Sequence, residues 1–220
     1  MAGDRLFQVK TDTAGITPGA KGDNAVWDFN LLLTKDTLVT FYVNINTTPV
    51  AEAFPNSNLA SFVTQKNINV YTYYQTAFNE LIYIGTANYS KSYIFSIPFQ
   101  NPKTVFNYPF KYKDTLNNDY NFFLESAGVE NFFYGNYCLN YDSFGKIKLN
   151  GNEYDCIRIH SVDYYGDSEE FKESNFSWRI ESYQWFVKGN KFPVFSISYT
   201  DKKSKLQKSS FKEVYLTVSN

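Results

Sequence analysis

The chain has 220 residues, and its 21 Lys and Arg against 22 Asp and Glu leave a formal net charge of −1. That balance argues against the basic stripe of a nucleic-acid surface, so no nucleic-acid partner is expected. Beside 21 Phe, 19 Tyr and 3 Trp stand one histidine, His160, and two cysteines, a poor outfit for metal chemistry or nucleophilic catalysis.

Taken in chain order, Pro, Gly and Asn punctuate short runs of alternating residues, the rhythm of an antiparallel β domain. Leu6–Lys10 and Val26–Asn30 flank a loop holding Gly15, Pro18, Gly19 and Gly22. In Leu38–Ile45, Val39, Phe41, Val43 and Ile45 share one face and Thr40 and Asn44 the other. Asn56–Gln65 is the one stretch that reads as helical, following Pro55 with Ser57 or Asn58 as cap. Asn69–Gln75, Leu81–Ile84, Tyr93–Phe99 and Tyr120–Glu125 read as strands. Tyr137–Tyr141, Lys146–Leu149 and Tyr154–His160 read as a meander. Phe176–Val187 changes phase: Phe176, Trp178 and Ile180 are even, but Tyr183, Trp185 and Val187 are odd. Either both faces are buried or a bulge near Ser182 resets the register. Phe195–Thr200 and Val214–Val218 close the chain.

At least a dozen strands exceed what a flat open sheet carries. The expected fold is all-β, a single domain over residues 1–220. Its large antiparallel sheet is strongly curved into a half-barrel or folded into a two-layer sandwich, with at most one short helix. No apolar run approaches the ~20 residues of a membrane-crossing helix. Met1–Arg5 lacks the apolar stretch of a leader, which leaves a cytosolic protein or an exported one whose leader has been removed; the many Asn, Tyr, Ser and Thr favour the second, and the expectation is a protein at the cell surface, in the periplasm or outside the cell.

Few residues point to chemistry. In a meander the strands bearing Cys138 and Cys156 lie about 10 Å apart, beyond the ~7 Å that a disulfide allows, so two free thiols are expected. Cys156, Arg158 and His160 share one strand face, read as a polar outer face. Cys156 and His160 are about 13 Å apart, too far for a nucleophile–base pair. No metal site and no cofactor are expected, although Asp163, Asp167, Glu169 and Glu170, and Asp114, Asn117, Asn118 and Asp119, form two oxygen-rich clusters that calcium would need in a shaped loop. Lys202, Lys203, Lys205 and Lys208 read as a solvated turn. Glu80, Asp119, Glu125 and Glu130 are eligible for a glycosidase pair, as any acid is. The aromatic residues remain: Tyr71, Tyr73 and Tyr74 on one strand, and Phe133 and Tyr134 (with Phe132) near Gly135, are the candidate ligand-binding side chains. Trp27, Trp178 and Trp185 are assigned mainly to the core.

Five segments in order resemble a family of uncharacterised exported proteins from Bacteroidetes-type bacteria. The sequence from Pro18-Gly19 through Trp27-Asp28-Phe29 to Leu31 is similar to an early PGxxGxNQTWDFSxL element, and Phe54-Pro55-Asn56-Ser57-Asn58-Leu59-Ala60 to FPxSNxA. Tyr108-Pro109 through Asp114 resembles YPxxYGDxxxD, with Lys113 where that pattern favours Gly. Phe144–Gly151, with Cys156–His160, is similar to a YGTLxxPxGxYxxVLRVK hairpin. Tyr183–Ile197 resembles a YxWYxxGxKxPxLxI strand pair. The resemblance implies an exported or surface location, often ahead of a type IX sorting domain, and supplies no catalytic residues. A further fold-level resemblance, to curved sheets of the lipoprotein-carrier type, implies an enclosed apolar ligand. The expected function is therefore non-enzymatic: binding an apolar or lipidic ligand in a concave sheet, or a surface partner through an aromatic face. The alternative is a carbohydrate-binding module or a glycoside-directed hydrolase with paired carboxylates.

Overall fold

Alternating β-branched and aromatic residues build thirteen strands among the described residues. A computed structural model describes residues 1–109, 111–126, 128–167, 177–203 and 208–218. The strands are β1 (Arg5–Thr11), β2 (Gly22–Asp28), β3 (Thr34–Val43), β4 (Leu59–Gln65), β5 (Ile68–Thr76), β6 (Glu80–Ser90) and β7 (Tyr93–Asn107). They continue with β8 (Thr115–Ser126), β9 (Val129–Leu149), β10 (Asn152–Asp167), β11 (Trp178–Val187), β12 (Phe195–Lys203) and β13 (Lys208–Thr217). All belong to one sheet, in the order β10-β11-β12-β13-β1-β3-β4-β5-β6-β7-β8-β9-β2, and β10 also pairs with β9. That extra pairing closes twelve strands into a barrel, so the curvature expected of a half-barrel runs to completion. Closure removes the long unpaired edges that an open sheet would present.

Local chemistry sets the hairpins. Lys66 and Asn67 both have positive φ (46° and 69°) between the paired Gln65 and Ile68. Asn150 and Gly151 (51° and 79°) do the same between Leu149 and Asn152. Both are two-residue turns whose twist matches that of the strands. The first corrects the helix expected at Asn56–Gln65. From Leu59 that segment is β4, because Ala60 and Phe62 pair with Val43 and Phe41 on one side and Tyr73 and Tyr71 on the other. Sheet partners on both flanks override a weak capping signal.

The expected meander is also corrected. Tyr137–Tyr141 and Lys146–Leu149 are parts of one strand, β9. Its register against β10 slips between Arg158↔Ser143 and Ile159↔Tyr141, which leaves Asp142 as the extra residue of a bulge. Before the bulge β9 pairs with β8. Past it β9 outruns β8 and takes β2 as a parallel neighbour. Gly145 makes that approach possible, since a Cβ there would lie 1.9 Å from the Ala25 carbonyl oxygen.

Contacts across the sheet identify its concave face. Lys103 on β7 reaches Asp163 on β10, and Phe106 on β7 meets Phe186 on β11 edge-on at 6.3 Å. Tyr120, Phe122, Leu139 and Ile159 pack on this inner face. The outer wall carries two further cores. In one, Phe54, from the loop after β3, stacks on Tyr73 at 3.9 Å over Ala60, Ile84 and Ala87. In the other, Trp27 and Phe29 fold back over the wall, Trp27 edge-on to Trp185 at 5.8 Å and Phe29 stacked on Phe195 at 4.2 Å.

Strand β11 runs without a register shift against β10 or β12, so the phase change reflects two occupied faces and not a bulge. Trp185 faces the outer core and Phe186 the inner one. Phe176 lies outside the described residues. Trp27 and Trp185 are core residues, while Trp178 is half-buried, stacked on Tyr165 with the Lys202 ammonium 3.9 Å above its ring. Lys205 lies outside the described residues.

Candidate functional site

A cavity of about 840 Å³ opens at the barrel end where β7 and β11 finish and β10 begins. Its floor is apolar: Phe106, Phe144, Ile157, Ile159 and Phe186, all on the inner face. Strand alternation places Phe144, Ile157 and Ile159 on that face, and the Asp142 bulge keeps Phe144 in phase with Tyr141. Tyr108 and Val26 stand at the rim, 54% and 57% exposed, so apolar surface continues outward from the cavity. One wall belongs to β2, through Asn24, Ala25 and Val26. The charged lining residues are Lys146, Lys188, Lys191 and Asp155.

The β2 wall is held by a buried cation. Arg158 is 1% exposed. Its Nε and Nη2 donate to the two Asp142 carboxylate oxygens, each at 2.9 Å, and Nη2 also donates to Ser143 Oγ at 3.1 Å. Nη1 donates to the Pro18 carbonyl at 2.6 Å. The guanidinium also lies 5.3 Å from the rings of Trp27 and Tyr183. The Trp27 indole N–H donates to the Ala20 carbonyl, and Gly22 N–H to Ser143 Oγ. Cys156, Arg158 and His160 do share a face, but reading that face as polar and outward is corrected for two of them. The returning β2 segment covers Cys156 and Arg158, whereas His160 is half-buried and bonded to Glu181 at 2.9 Å.

Both thiols are free. The register sets Cys138 opposite Val162, six positions along β10 from Cys156, or about 20 Å. Burial first, with Asp155 adding, pushes the Cys156 thiol up to about 12. Cys156 therefore stays protonated through the working range of thiol reagents. Iodoacetamide at about pH 8.5 is expected to modify Cys138 in the native protein at least tenfold faster than Cys156, with peptide mass spectrometry as the readout. Equal rates would contradict the burial of Cys156.

The five aromatic candidates are dispersed. Tyr71 and Tyr73 are buried in the outer core beneath Phe54. Tyr74 faces inward beside Tyr83, at 5.9 Å, and Phe133 packs on the inner core against Phe122. Tyr134 is exposed on the outer wall, edge-on to Phe132. None of the five lines the cavity. The residues that do so were missed because five separate segments converge there. The one available signal was that both faces of Phe176–Val187 carry large apolar residues, which requires a covered second face at Phe186.

The acids do not converge either. Glu125 and Glu130 lie directly opposite each other on the β8–β9 hairpin, on one sheet surface and not across a cleft. Asp119 accepts from Asn136 at 2.8 Å, and Glu80 opens β6. Asn117 and Asn118 point to opposite faces of β8, with Asn118 donating to the Thr104 carbonyl. Asp163 is a strand residue paired with Lys103, and Asp167 accepts from Ser177; Glu169 and Glu170 lie outside the described residues. Among the described residues no group of three or more His, Cys, Asp or Glu could hold a metal, and no helix is long and apolar enough to cross a membrane. No protein-family model, curated protein or solved structure matches the chain.

Proposed function

We propose that this protein is a non-enzymatic binding domain that takes an apolar ligand into the mouth of its barrel. The observation that carries the reading is the ~840 Å³ cavity floored by Phe106, Phe144, Ile157, Ile159 and Phe186. That volume and lining are typical of sites for small apolar molecules. Much of its framework, from β9 and the Asp142 bulge to β2, is fixed by buried contacts, so little ordering would oppose binding. The exported location belongs to the same proposal, supported by the resemblance carried by Trp27–Phe29, Phe144–Gly151 and Tyr183–Ile197.

A neutral environment-sensitive dye, N-phenyl-1-naphthylamine, tests the reading. Saturable fluorescence enhancement is expected with the unaltered protein. Phe144→Gln is expected to weaken it about tenfold, with its circular dichroism and melting unchanged. Absence of saturable binding would end the proposal. A second reading, an aromatic face for a glycan or protein partner, is favoured by the ladder Phe123–Phe132–Tyr134 on the outer wall, with ring centres 4.7 and 4.5 Å apart. Phe123 and Tyr134 are 37% and 38% exposed. Dye binding that survives Phe144→Gln but falls with Phe132→Ala would move the site there.

A further inference from the structure

The charges around the cavity are segregated. Its floor is apolar, whereas its lining charges are three lysines, Lys146, Lys188 and Lys191, against one acid, Asp155. The whole chain is nearly neutral at −1; the positive excess belongs to the lining itself, with Glu153 and Asp4 behind it facing Lys146 and Lys191. Lys188 is exposed and has no hydrogen-bond or ion-pair partner among the described residues. Lys146 and Lys191 are engaged, with Glu153 at 2.6 Å and Asp4 at 2.9 Å. These are solvent-exposed pairs on flexible stems, and such pairs are worth about 0–1 kcal/mol and exchange partners readily. Two of the lysines adjoin the floor. Lys146 alternates in phase with the floor residue Phe144, and Lys188, in the turn that follows β11, lines the cavity beside Phe186.

We propose that the occupant is a single-chain anionic amphiphile, its hydrocarbon tail against the Phe and Ile floor and its one acidic head among Lys188, Lys146 and Lys191. The inference rests on the cavity being a ligand site. The ligand's polarity mirrors that of the site: an apolar body takes the inner floor, and a carboxylate or phosphate meets ammonium groups where water still reaches them. Point-charge lysines suit a head of variable geometry better than a forked guanidinium would.

The test is displacement of N-phenyl-1-naphthylamine by monomeric dodecanoate, dodecyl phosphate, dodecanol and dodecyltrimethylammonium, the ionic chains below their micellar concentrations and dodecanol below its solubility limit. Dodecanoate and dodecyl phosphate are expected to displace the dye at about tenfold lower concentration than dodecanol, and the cationic chain least well. Lys188→Glu is expected to erase the preference for acids while leaving dodecanol unchanged. Lys208→Glu, at the far end of the barrel, is expected to leave all four unchanged. Raising salt from about 0.05 M to about 0.5 M is expected to weaken the acids and not the alcohol. Equal displacement by dodecanoate and dodecanol, or a preference that survives Lys188→Glu, overturns this inference and leaves the apolar site standing. If no chain displaces the dye, or the dye itself does not bind, both readings fall. Association with phosphatidylglycerol vesicles without displacement by monomeric acids also overturns the inference.

Discussion

Arg158→Ala is expected to lower the unfolding free energy by about 3–5 kcal/mol, the range for breaking a buried ion pair from one side. The loss arises less from the missing attraction than from what stays behind. Asp142 is 8% exposed and would be left buried without the two guanidinium bonds that satisfy it. The Pro18 carbonyl would lose its donor as well, and the Trp27 and Trp185 rings their cation. Replacing both partners, Arg158→Met with Asp142→Leu, is expected to cost less than Arg158→Ala alone, because no orphaned charge remains. Urea unfolding at unchanged m value measures both. The single variant should also speed amide exchange in β2, which borders the cavity, before it affects β4–β6. A single-variant loss below about 1 kcal/mol would show that β2 is held by its Trp and Phe packing and not by the cation.

The strands were legible in the sequence wherever one face alternates. Phe195, Ile197 and Tyr199 against Ser196, Ser198 and Thr200 is β12 as built, and Val39, Phe41 and Val43 alternate within β3. Legibility ended where tertiary pairing overrides local pattern. A helix cap at Ser57 or Asn58 and a strand from Leu59 are both compatible with the same residues, and only the partners on β3 and β5 decide between them. The single strand Val129–Leu149 looked like two because the bulge at Asp142 shifts its phase midway.

The site was harder to read, for a related reason. Rings occupy both sides of the barrel wall. Tyr73 is fully buried on the outside and Tyr120 nearly so on the inside. Alternation therefore assigned residues to two faces without saying which face enclosed space. Tyr71, Tyr73 and Tyr74 on the strand expected at Asn69–Gln75 are ligand candidates in the sequence, yet Tyr71 and Tyr73 are core because Phe54 folds over them. No local rule announces that the loop following β3 would return in that way. The same return, made by Trp27 and Phe29, hid Cys156 and Arg158 from a reading that treated their face as exposed.

One seam of the barrel leans heavily on side chains, and it carries the other large expected effect. Strands β7 and β8 share only two register pairs, Phe99↔Phe122 and Asn101↔Asn121. Asn101 donates to the Asp119 carbonyl and Asn118 to the Thr104 carbonyl, which stitches what the ladder omits. Lys103 spans further, from β7 over β8 and β9 to Asp163 on β10, with Nζ 2.6 Å from Oδ2. Its ammonium lies 4.8–5.1 Å from the ring centres of Tyr83, Tyr120 and Tyr137, and Tyr120 Oη donates to Asp163 Oδ1 at 2.8 Å. Gly135 leaves room for that ring, since a Cβ there would sit 2.1 Å from it. Burial first, and the Asp163 carboxylate second, push the Tyr120 hydroxyl well above the usual phenol range, so it remains a proton donor at all ordinary pH values. Asp163→Ala removes the acceptor that both Lys103 and Tyr120 need, and is expected to cost about 3–5 kcal/mol. Tyr120→Phe removes one hydrogen bond to a charged group and is expected to cost about 1.5–3 kcal/mol. Because the ladder at this seam is thin, Asp163→Ala should also release amide exchange selectively in Phe99–Asn107 and Leu116–Leu124 while β12 and β13 stay protected. Uniform loss of protection around the barrel would instead make the pair a general contributor to stability and not the staple of this seam.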